Sequence, residues 1–541
     1  MPNITDIKNK KIYKPIVLII IDGWGLSPAW GGNAISMSNP KNLNVLWRNY
    51  PHKILQSLSE VAGPYVKVGN SEIGHVSIGA GKMIAHDLVR IYRAIKDNSF
   101  FNNNVLLATI DNARAHKSNL HLIGLLSDGA VHSHIDHLFA LLDLCKKQNF
   151  KNVFVHAILD GQDTRPIEAL RFLKQLEDKF KDIGFGQLAS ICGRFYAMDR
   201  DNHWDKIAKS YKAIAQGIGV PTEDYAQTIK NYYQKGISDC FIPPVVVCKD
   251  GQPIAPISDY DSVIFFNTRA DRARQLSRAF VDSEIFKKTL FFRQFPLLSL
   301  YFTTLTSYGL RLKVNVAFPP LKIENTLAKI LSDNGLKQLH MAESEKYAHI
   351  TYFFNGGYED PFRGEDRIII HSPHVESYDQ APEMSIRKLI PQLCKQIQSK
   401  KYDFIVVNIP NVDILGHTGN ILAISKAVLI VDKAVGDIVK TTLKASGATI
   451  VTADHGNAEQ VVHLEGGDQE TLHTLNPVPF ILITPDNQHS KLKSLPQTPA
   501  ALPEIMAAKN TLADIAPTIL DMLYLPIPQA MTGKSLLDEP K

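Results

Sequence analysis

The sequence predicts an α/β fold, and three observations support this prediction. Short apolar runs rich in β-branched residues recur along the chain, which is typical of parallel strands covered on both faces. Stretches with helical periodicity lie between these runs, and a cluster of polar residues follows each run. Because open α/β sheets bind ligands at the carboxyl ends of their strands, these polar clusters hold the candidate functional residues.

The predicted elements alternate along the chain. The first strand lies in the apolar run 16–21, which follows several lysines but is too short for a signal peptide and ends at Asp22. The apolar stretch 295–310 is interrupted by Pro296, so we expect no membrane span there. Further strands are predicted at 120–126, 153–159, 188–192, 263–266, 404–409 and 448–452, with helices at 137–147, 166–180 and 424–443.

Length and composition limit the function classes. A chain of 541 residues is too long for one compact core, so at least two domains are expected. The 59 basic and 54 acidic residues nearly balance, and no Lys/Arg-rich run occurs, which argues against a nucleic-acid-binding protein. The five cysteines are scattered without a C-x-x-C pair, as in proteins of a reducing compartment. We therefore predict a cytoplasmic protein.

Acidic and imidazole side chains occur where a metal site would need them. Asp22 and the pair Asp454 and His455 follow predicted strands, and Asp413 and His417 are spaced to face one side of a helical turn. Each pattern alone has a structural explanation, such as a turn cap for Asp22. Together with His473 and the glycine-flanked Ser71, they match a two-metal site that activates a hydroxyl for phosphoryl transfer.

Ser71 has two interpretations. It is positioned to cap a helix that begins near Glu72, which would be a structural role. A serine at a helix N-terminus also offers a phosphate the amide donors and the positive end of the helix dipole. The mixed carboxylate and imidazole ligands suit Mn, Zn or Mg.

The middle of the chain predicts an anion-binding site. Arginines follow several predicted strands, and a guanidinium group matches phosphate and carboxylate oxygens with two hydrogen bonds. A single such arginine is usually a solvated surface charge, whereas four after strand ends indicate a small polyanion. The arginines are Arg194, Arg200, Arg269 and Arg272, accompanied by His132, Asp163 and Lys346.

The order of the motifs predicts a discontinuous domain. The metal-type motifs lie before residue 85 and after residue 400, whereas the arginine motifs lie between 128 and 272. We predict a metal-binding domain formed by 1–86 and 321–541, with a second α/β domain, 87–320, inserted into it.

These segments resemble the cofactor-independent phosphoglycerate mutases of the alkaline phosphatase superfamily, and the resemblance extends over nearly the whole chain. The segments that carry it are 21–25, 69–75, 126–134, 193–200, 269–272, 342–347, 413–419, 454–457 and 531–536.

The resemblance implies a role for each candidate residue. One of two divalent ions, Mn in preference to Mg, is held by Asp22, Ser71, Asp454 and His455, and the other by Asp413, His417 and His473. The glycerate is bound by His132, Asp163, Arg194, Arg200, Arg269 and Arg272, while Lys346 contacts the phosphate.

The resemblance also implies the reaction. Ser71 takes the phosphoryl group from 3-phosphoglycerate and returns it to the other hydroxyl to give 2-phosphoglycerate, without bisphosphoglycerate. This is a step of glycolysis and gluconeogenesis carried out by a monomer, with no nucleic-acid or membrane partner.

One departure from the family pattern affects the substrate site. The usual Asp-Gly-Arg-Asp reads Asp160-Gly161-Gln162-Asp163, so a substrate-binding arginine is missing. Arg165 lies three residues beyond Gln162, and we hypothesise that it folds back to supply the guanidinium.

Two alternative functions compete with the mutase. A phosphatase or phosphopentose mutase would share the metal-binding core, but the arginine motifs favour a glycerate. A non-catalytic binding protein would have lost a ligand or the nucleophile, whereas all seven metal-site residues are present.

Overall fold

The computed structural model describes residues 13–28, 30–57, 69–282, 297, 299–309, 312–462, 467, 469–487 and 508–537. Part of the apolar stretch 295–310 therefore lies outside the described residues. The chain divides into two compact units, Met1–Ala85 with Leu321–Lys541 and His86–Pro320.

The strands, in chain order, are β1 (Ile16–Ile21), β2 (His52–Gln56), β3 (Leu120–Leu126), β4 (Val153–Leu159), β5 (Gln187–Gly193), β6 (Val220–Thr222), β7 (Val245–Lys249), β8 (Gln252–Pro253), β9 (Ser262–Phe265), β10 (Tyr301–Thr306), β11 (Asn315–Phe318), β12 (Gln338–Glu343), β13 (Glu365–Ile370), β14 (Phe404–Ile409), β15 (Ala448–Thr452), β16 (Val478–Ile483) and β17 (Asn510–Thr511).

The α-helices are α1 (Ala34–Ser38), α2 (Lys41–Asn49), α3 (Ser71–Ala80), α4 (Asp87–Lys96), α5 (Asn104–His116), α6 (Ile135–Lys147), α7 (Ala169–Ile183), α8 (Arg194–Ala197), α9 (Trp204–Gln216), α10 (Tyr225–Gln234), α11 (Ala270–Val281), α12 (Leu327–Asp333), α13 (Ile386–Gln398), α14 (Asn411–Gly416), α15 (Ile421–Lys444) and α16 (Ile515–Met522).

The first unit is built on a sheet in the order β13-β12-β14-β1-β15-β16-β2-β17. The five strands from β13 to β15 are parallel, whereas β16 runs antiparallel to both β15 and β2. At its centre, every residue of β1 is fully buried, and Ile19 pairs with Val407 on one side and Val451 on the other. Burial on both faces explains why this strand is uniformly apolar.

The second unit is built on a sheet in the order β11-β10-β9-β3-β4-β5-β7-β6, with β8 paired to β7. The strands from β11 to β5 are parallel, and β7 runs antiparallel to β5. Helices connect successive parallel strands, for example α6 between β3 and β4 and α7 between β4 and β5. Two largely parallel sheets with helical connections confirm the predicted α/β fold.

Two further findings concern the predictions from composition. Among the described helices, none has the length and apolar character needed to cross a bilayer. The five cysteines are free thiols, and four of them are buried.

Candidate active site

In the first unit, candidate side chains follow four neighbouring parallel strands. Asp22 comes directly after β1, and Asp413 lies in α14 after β14. Asp454 and His455 follow β15, and Lys346 follows β12. All five side chains are buried. Because the sheet order is β12-β14-β1-β15, the carboxyl ends of these strands bring the five side chains to one edge of the sheet.

Ser71 is the first residue of α3. The cap of this helix is Asn70, whose side-chain oxygen accepts a hydrogen bond from a backbone amide of the first turn at 3.1 Å. The interpretation of Ser71 as the capping residue is therefore wrong. Its Oγ lies 2.7 Å from His455 Nε2 and 2.9 Å from Lys346 Nζ, and Asp22 Oδ1 is 3.4 Å away. The hydroxyl is thus surrounded by charged and imidazole groups.

The candidate metal ligands form two compact groups. Within each group, the possible ligand atoms lie within 4.8 Å of one another. His417 adjoins the second group, because its Nε2 lies 3.6 Å from Asp413 Oδ1 and 3.0 Å from His473 Nε2. The first group is Asp22, Asp454 and His455, and the second is Asp413, His455 and His473.

The hydrogen bonds of the imidazoles test whether these residues fit a cation. His417 Nδ1 lies 2.8 Å from the Thr471 carbonyl, and His473 Nδ1 lies 3.0 Å from the Gly69 carbonyl. Because a carbonyl only accepts, each Nδ1 carries a proton, and in the neutral tautomer Nε2 then presents a lone pair. The two Nε2 atoms are 3.0 Å apart, and His473 Nε2 is 3.0 Å from Asp413 Oδ1.

These three acceptor atoms, His417 Nε2, His473 Nε2 and Asp413 Oδ1, repel one another unless a cation lies among them. Backbone carbonyls that hold the second ring nitrogen are also the usual partners of metal-ligating histidines. His455 follows the same pattern, since its Nδ1 lies 3.1 Å from the Gly456 carbonyl. Imidazole nitrogens and carboxylate oxygens are suitable ligands for Mn, Zn or Mg. The donor set therefore fits divalent cations.

The carboxylates of the site are buried close together. Burial raises the pKa of Asp22, the carboxylates of Asp454 and Asp413 raise it further, and the Lys346 ammonium opposes both effects. Burial also acts to raise the pKa of Asp413, but the Lys346 ammonium holds it well below its usual range. Lys346 Nζ lies 2.9 Å from Asp22 Oδ1 and 2.7 Å from Asp413 Oδ2. Among the described residues, one ammonium thus faces three buried carboxylates, which leaves an excess of negative charge.

Two residues that contact the candidate metal ligands were not predicted. Asn408 Nδ2 donates to Asp22 Oδ2 at 2.7 Å and lies 3.0 Å from His75 Nε2. His75 Nδ1 lies 2.8 Å from the Ser71 carbonyl and 3.3 Å from Asp454 Oδ2. Such contacts fix the orientation of ligand carboxylates. Two features of the sequence could have indicated these residues. Asn408 is the single amide within the otherwise apolar β14, and His75 lies four residues after Ser71.

The second unit holds Arg194 and Asp163 in one ion-pair network. Arg194 begins α8 directly after β5 and is buried. Its Nη1 lies 2.6 Å from Asp160 Oδ1 and 2.8 Å from Asp163 Oδ2. Burial acts to lower the pKa of Arg194, and the two carboxylates raise it. The guanidinium is therefore held charged and in a fixed position.

The other predicted arginines surround Asp271. Arg200 Nη1 and Arg269 Nε each lie 3.3 Å from a carboxylate oxygen of Asp271. Arg272 Nη1 donates to the Met198 carbonyl at 3.2 Å. Burial lowers the pKa of Arg272, and the charges of Arg200 and Arg194 lower it further. Arginines that repel one another in this way are suited to binding an anion.

His132 lies in the positive potential of these arginines. It is buried, with its Nδ1 3.7 Å from Asp271 Oδ1. Burial and the charge of Arg194 together lower the pKa of His132 to about 3, although the carboxylate of Asp271 opposes the shift. The imidazole is therefore neutral among the guanidinium groups.

Gln162 and Arg165, the residues of the family departure, both lie at the surface. Gln162 Nε2 contacts Cys240 Sγ at 3.3 Å. The proposed substitution of Arg165 for a missing guanidinium stays a prediction.

Comparisons with known proteins agree over the full length. A family model described as the N-terminus of BPG-independent PGAM matches residues 91–309. The 2,3-bisphosphoglycerate-independent phosphoglycerate mutase of Moorella thermoacetica is 44% identical over 527 residues, covering 97% of this chain and 99% of the relative. That of Clostridium acetobutylicum is 44% identical over 529 residues, with the same coverage.

A solved structure shows the same fold. The crystal structure of Leishmania mexicana phosphoglycerate mutase at low cobalt concentration matches with a TM-score of 0.73 and 25% identity, covering 97% of this chain and 98% of that one. The two-sheet α/β fold and these full-length similarities define an enzyme of the isomerase class. The chain belongs to the family of 2,3-bisphosphoglycerate-independent phosphoglycerate mutases, which confirms the resemblance recognised from its motifs.

Proposed function

We propose that this enzyme interconverts 3-phosphoglycerate and 2-phosphoglycerate through a phosphoserine at Ser71 and with two divalent metal ions. The observation that carries the proposal is the position of the Ser71 hydroxyl, 2.7 Å from His455 Nε2 and 2.9 Å from Lys346 Nζ. A nucleophilic hydroxyl needs groups that stabilise its deprotonated form, together with a cation that binds the incoming phosphoryl group.

In this proposal the first unit, Met1–Ala85 with Leu321–Lys541, is the metal-binding, phosphatase-like domain. Asp22, Ser71, Asp454 and His455 would hold one ion, and Asp413, His417 and His473 the other. When bound, the ions supply Lewis-acid chemistry that favours the serine alkoxide and offsets phosphate charge. Mn is the preferred ion and Mg the alternative.

Lys346 has a separate role in this scheme. Its ammonium donates to Ser71 Oγ and also pairs with Asp22 and Asp413. The two carboxylates raise the pKa of Lys346 despite its burial, so the group stays protonated. We propose that it donates to an oxygen of the phosphoryl group and lowers the negative charge near the attacking hydroxyl.

The second unit, His86–Pro320, is proposed to bind the glycerate. A phosphoglycerate carries about three negative charges, two on the phosphate and one on the carboxylate. Arg194, Arg200, Arg269 and Arg272 supply guanidinium groups, and neutral His132 and the carboxylate of Asp163 can bind the hydroxyls of the glycerate. Holding the dephosphorylated glycerate prevents water from completing a phosphatase reaction.

An enolase-coupled assay tests the proposal. Purified enzyme should convert 3-phosphoglycerate without added bisphosphoglycerate, lose activity after treatment with EDTA, and regain it with Mn²⁺. A phosphatase would release inorganic phosphate instead, and a binding protein would do neither. Activity that survives complete metal removal would contradict the proposed role of the ions.

The family resemblance also suggests a cytoplasmic monomer with a small-molecule substrate. Sedimentation of the purified enzyme with and without phosphoglycerate would test the oligomeric state.

A further inference from the structure

Glu459 is a buried carboxylate outside the set of proposed ligands. It is 1% exposed and lies five residues after Asp454. Among the described residues, it forms no ion pair with Lys or Arg, so its charge is balanced in another way. A buried carboxylate without such compensation would be strongly destabilising.

Four hydrogen-bond donors provide the compensation. Glu459 Oε2 accepts from the backbone amides of Gly25 at 3.0 Å and Asn457 at 2.9 Å. Glu459 Oε1 accepts from the hydroxyl of Thr474 and, at 2.9 Å, from Asn476 Nδ2. The two oxygens thus accept two hydrogen bonds each, and hydrogen bonds to an ionised acceptor are the strong ones.

The four donors belong to three loops that carry proposed metal ligands. Gly25 lies three residues after Asp22, Asn457 two residues after His455, and Thr474 directly after His473. These loops come from distant parts of the sequence, and a single carboxylate contacts all of them. The loops also meet through backbone hydrogen bonds, such as Thr474 N to Gly456 O at 2.8 Å.

Two glycines make room for this carboxylate. A Cβ added at Gly25 would overlap the carboxyl group of Glu459. A Cβ added at Gly456 would overlap both Glu459 Oε1 and the hydroxyl of Thr474. The backbone at Gly25 and Gly456 therefore lies so close to the Glu459 carboxylate that no side chain fits between them.

We propose that Glu459 is a positioning residue for the metal centre, whose carboxylate fixes the loops of Asp22, His455 and His473 relative to one another. This inference rests on the proposed function, because it concerns the affinity of the two-metal site. Partners that orient metal ligands typically contribute about 10- to 100-fold to metal affinity. The negative charge of Glu459 also favours cations in its neighbourhood.

Asp432 provides a matched control within the same unit. This carboxylate is 4% exposed and accepts hydrogen bonds from the backbone amides of Asn42 and Leu43 and from Asn42 Nδ2. It connects α15 to α2, neither of which carries a proposed ligand. Neutralising it removes the same kind of buried, hydrogen-bonded charge without touching a ligand loop.

The test compares full-length wild type, Glu459→Gln and Asp432→Asn after metal removal. Thermal unfolding of the metal-free proteins reports stability, and calorimetric titration with Mn²⁺ reports the dissociation constants. We expect a lower melting temperature in both variants. Weaker Mn²⁺ binding, by about 10- to 100-fold, is expected only in Glu459→Gln.

Two results would overturn the inference. Wild-type Mn²⁺ affinity in folded Glu459→Gln would remove its role at the metal centre. If Asp432→Asn weakened Mn²⁺ binding as much as Glu459→Gln does, the effect would come from a general loss of stability and not from the metal centre. A wild-type protein that binds no Mn²⁺ would instead overturn the proposed two-metal function. Failure of the inference about Glu459 can therefore be distinguished from failure of the proposed function.

A milder variant serves if Glu459→Gln does not fold. Thr474→Val keeps the shape of the side chain but removes one donor to Glu459 Oε1. The loss of one hydrogen bond predicts Mn²⁺ binding weakened by about fivefold. Unchanged binding in this variant would equally contradict the proposal.

Discussion

At the scale of single residues, we expect Gln162 and Arg165 to affect how tightly the substrate is bound. Gln162 replaces an arginine expected from the family pattern, and its side chain contacts Cys240 Sγ. Arg165 lies three residues on at the surface and is the nearest guanidinium along the chain that could replace the missing one.

We expect Arg165→Ala to raise KM for 3-phosphoglycerate by about tenfold or more, since a hydrogen bond between charged groups is worth about 1.5 to 3 kcal/mol. Gln162→Arg in the Arg165→Ala background should restore much of the loss. Arg114→Ala is the control, because Arg114 is an exposed arginine of the same unit that pairs with Asp111. An unchanged KM in Arg165→Ala would disprove the hypothesis that Arg165 supplies the guanidinium missing at position 162.

Some site residues could be predicted from the sequence and others could not, because only some of them lie in a recognisable local pattern. Asp22 and Asp454 were predictable because each lies within two residues of the end of a strand rich in β-branched residues, and strand ends meet at one edge of a sheet. Asn408 and Glu459 were not, because their roles come from hydrogen bonds to loops distant in sequence. A single amide in an apolar strand, as at Asn408, indicates a buried polar group, but it does not show which distant residue that group contacts.

At the scale of elements, α6 carries a histidine that links stability to pH. His137 is 2% exposed, and its burial lowers the pKa to about 3, with His134 adding to the shift. Below its unfolded pKa of about 6.5, the unfolded chain binds a proton that the folded protein does not. The contribution of His137 to stability is therefore complete above about pH 6.5 and is lost as the pH falls towards 3.

This difference predicts a loss of about 2 kcal/mol from His137 alone between pH 7 and pH 5. His137→Leu should be less sensitive to acid by this amount in urea unfolding at the two pH values. His116→Gln is the control, since His116 is an exposed histidine of the same unit. Equal sensitivity of His137→Leu and wild type would show that the imidazole is not the cause.

The start of α7 shows how tertiary contacts shift element boundaries. A helix was predicted over 166–180, whereas α7 spans Ala169–Ile183. Glu168 N and Ala169 N donate to the Asp239 carboxylate at 2.7 and 2.9 Å. This cap comes from a residue some seventy positions away, so the local sequence could not indicate it.

At the scale of the whole molecule, the parallel core of each sheet was predicted better than its borders. All seven predicted strands occur, with ends that differ by at most one residue from the predicted ones. Strands beyond the parallel core of the first sheet, such as β2 and β16, were missed. Three of the five residues of β2 are polar and partly exposed, and β16 contains Pro479, which argues against a central strand. The order of the strands depends on pairing between distant segments and was not deducible from periodicity.

In the proposed reaction, Ser71 carries the phosphoryl group during turnover. The most direct measurement is mass spectrometry of the metal-loaded enzyme, quenched in acid while it converts phosphoglycerate, together with the turnover of Ser71→Ala. We predict phosphate on Ser71 in wild type and no turnover by a folded Ser71→Ala protein that lacks the nucleophile. Substantial turnover by Ser71→Ala, or phosphate on a different residue, would contradict the account.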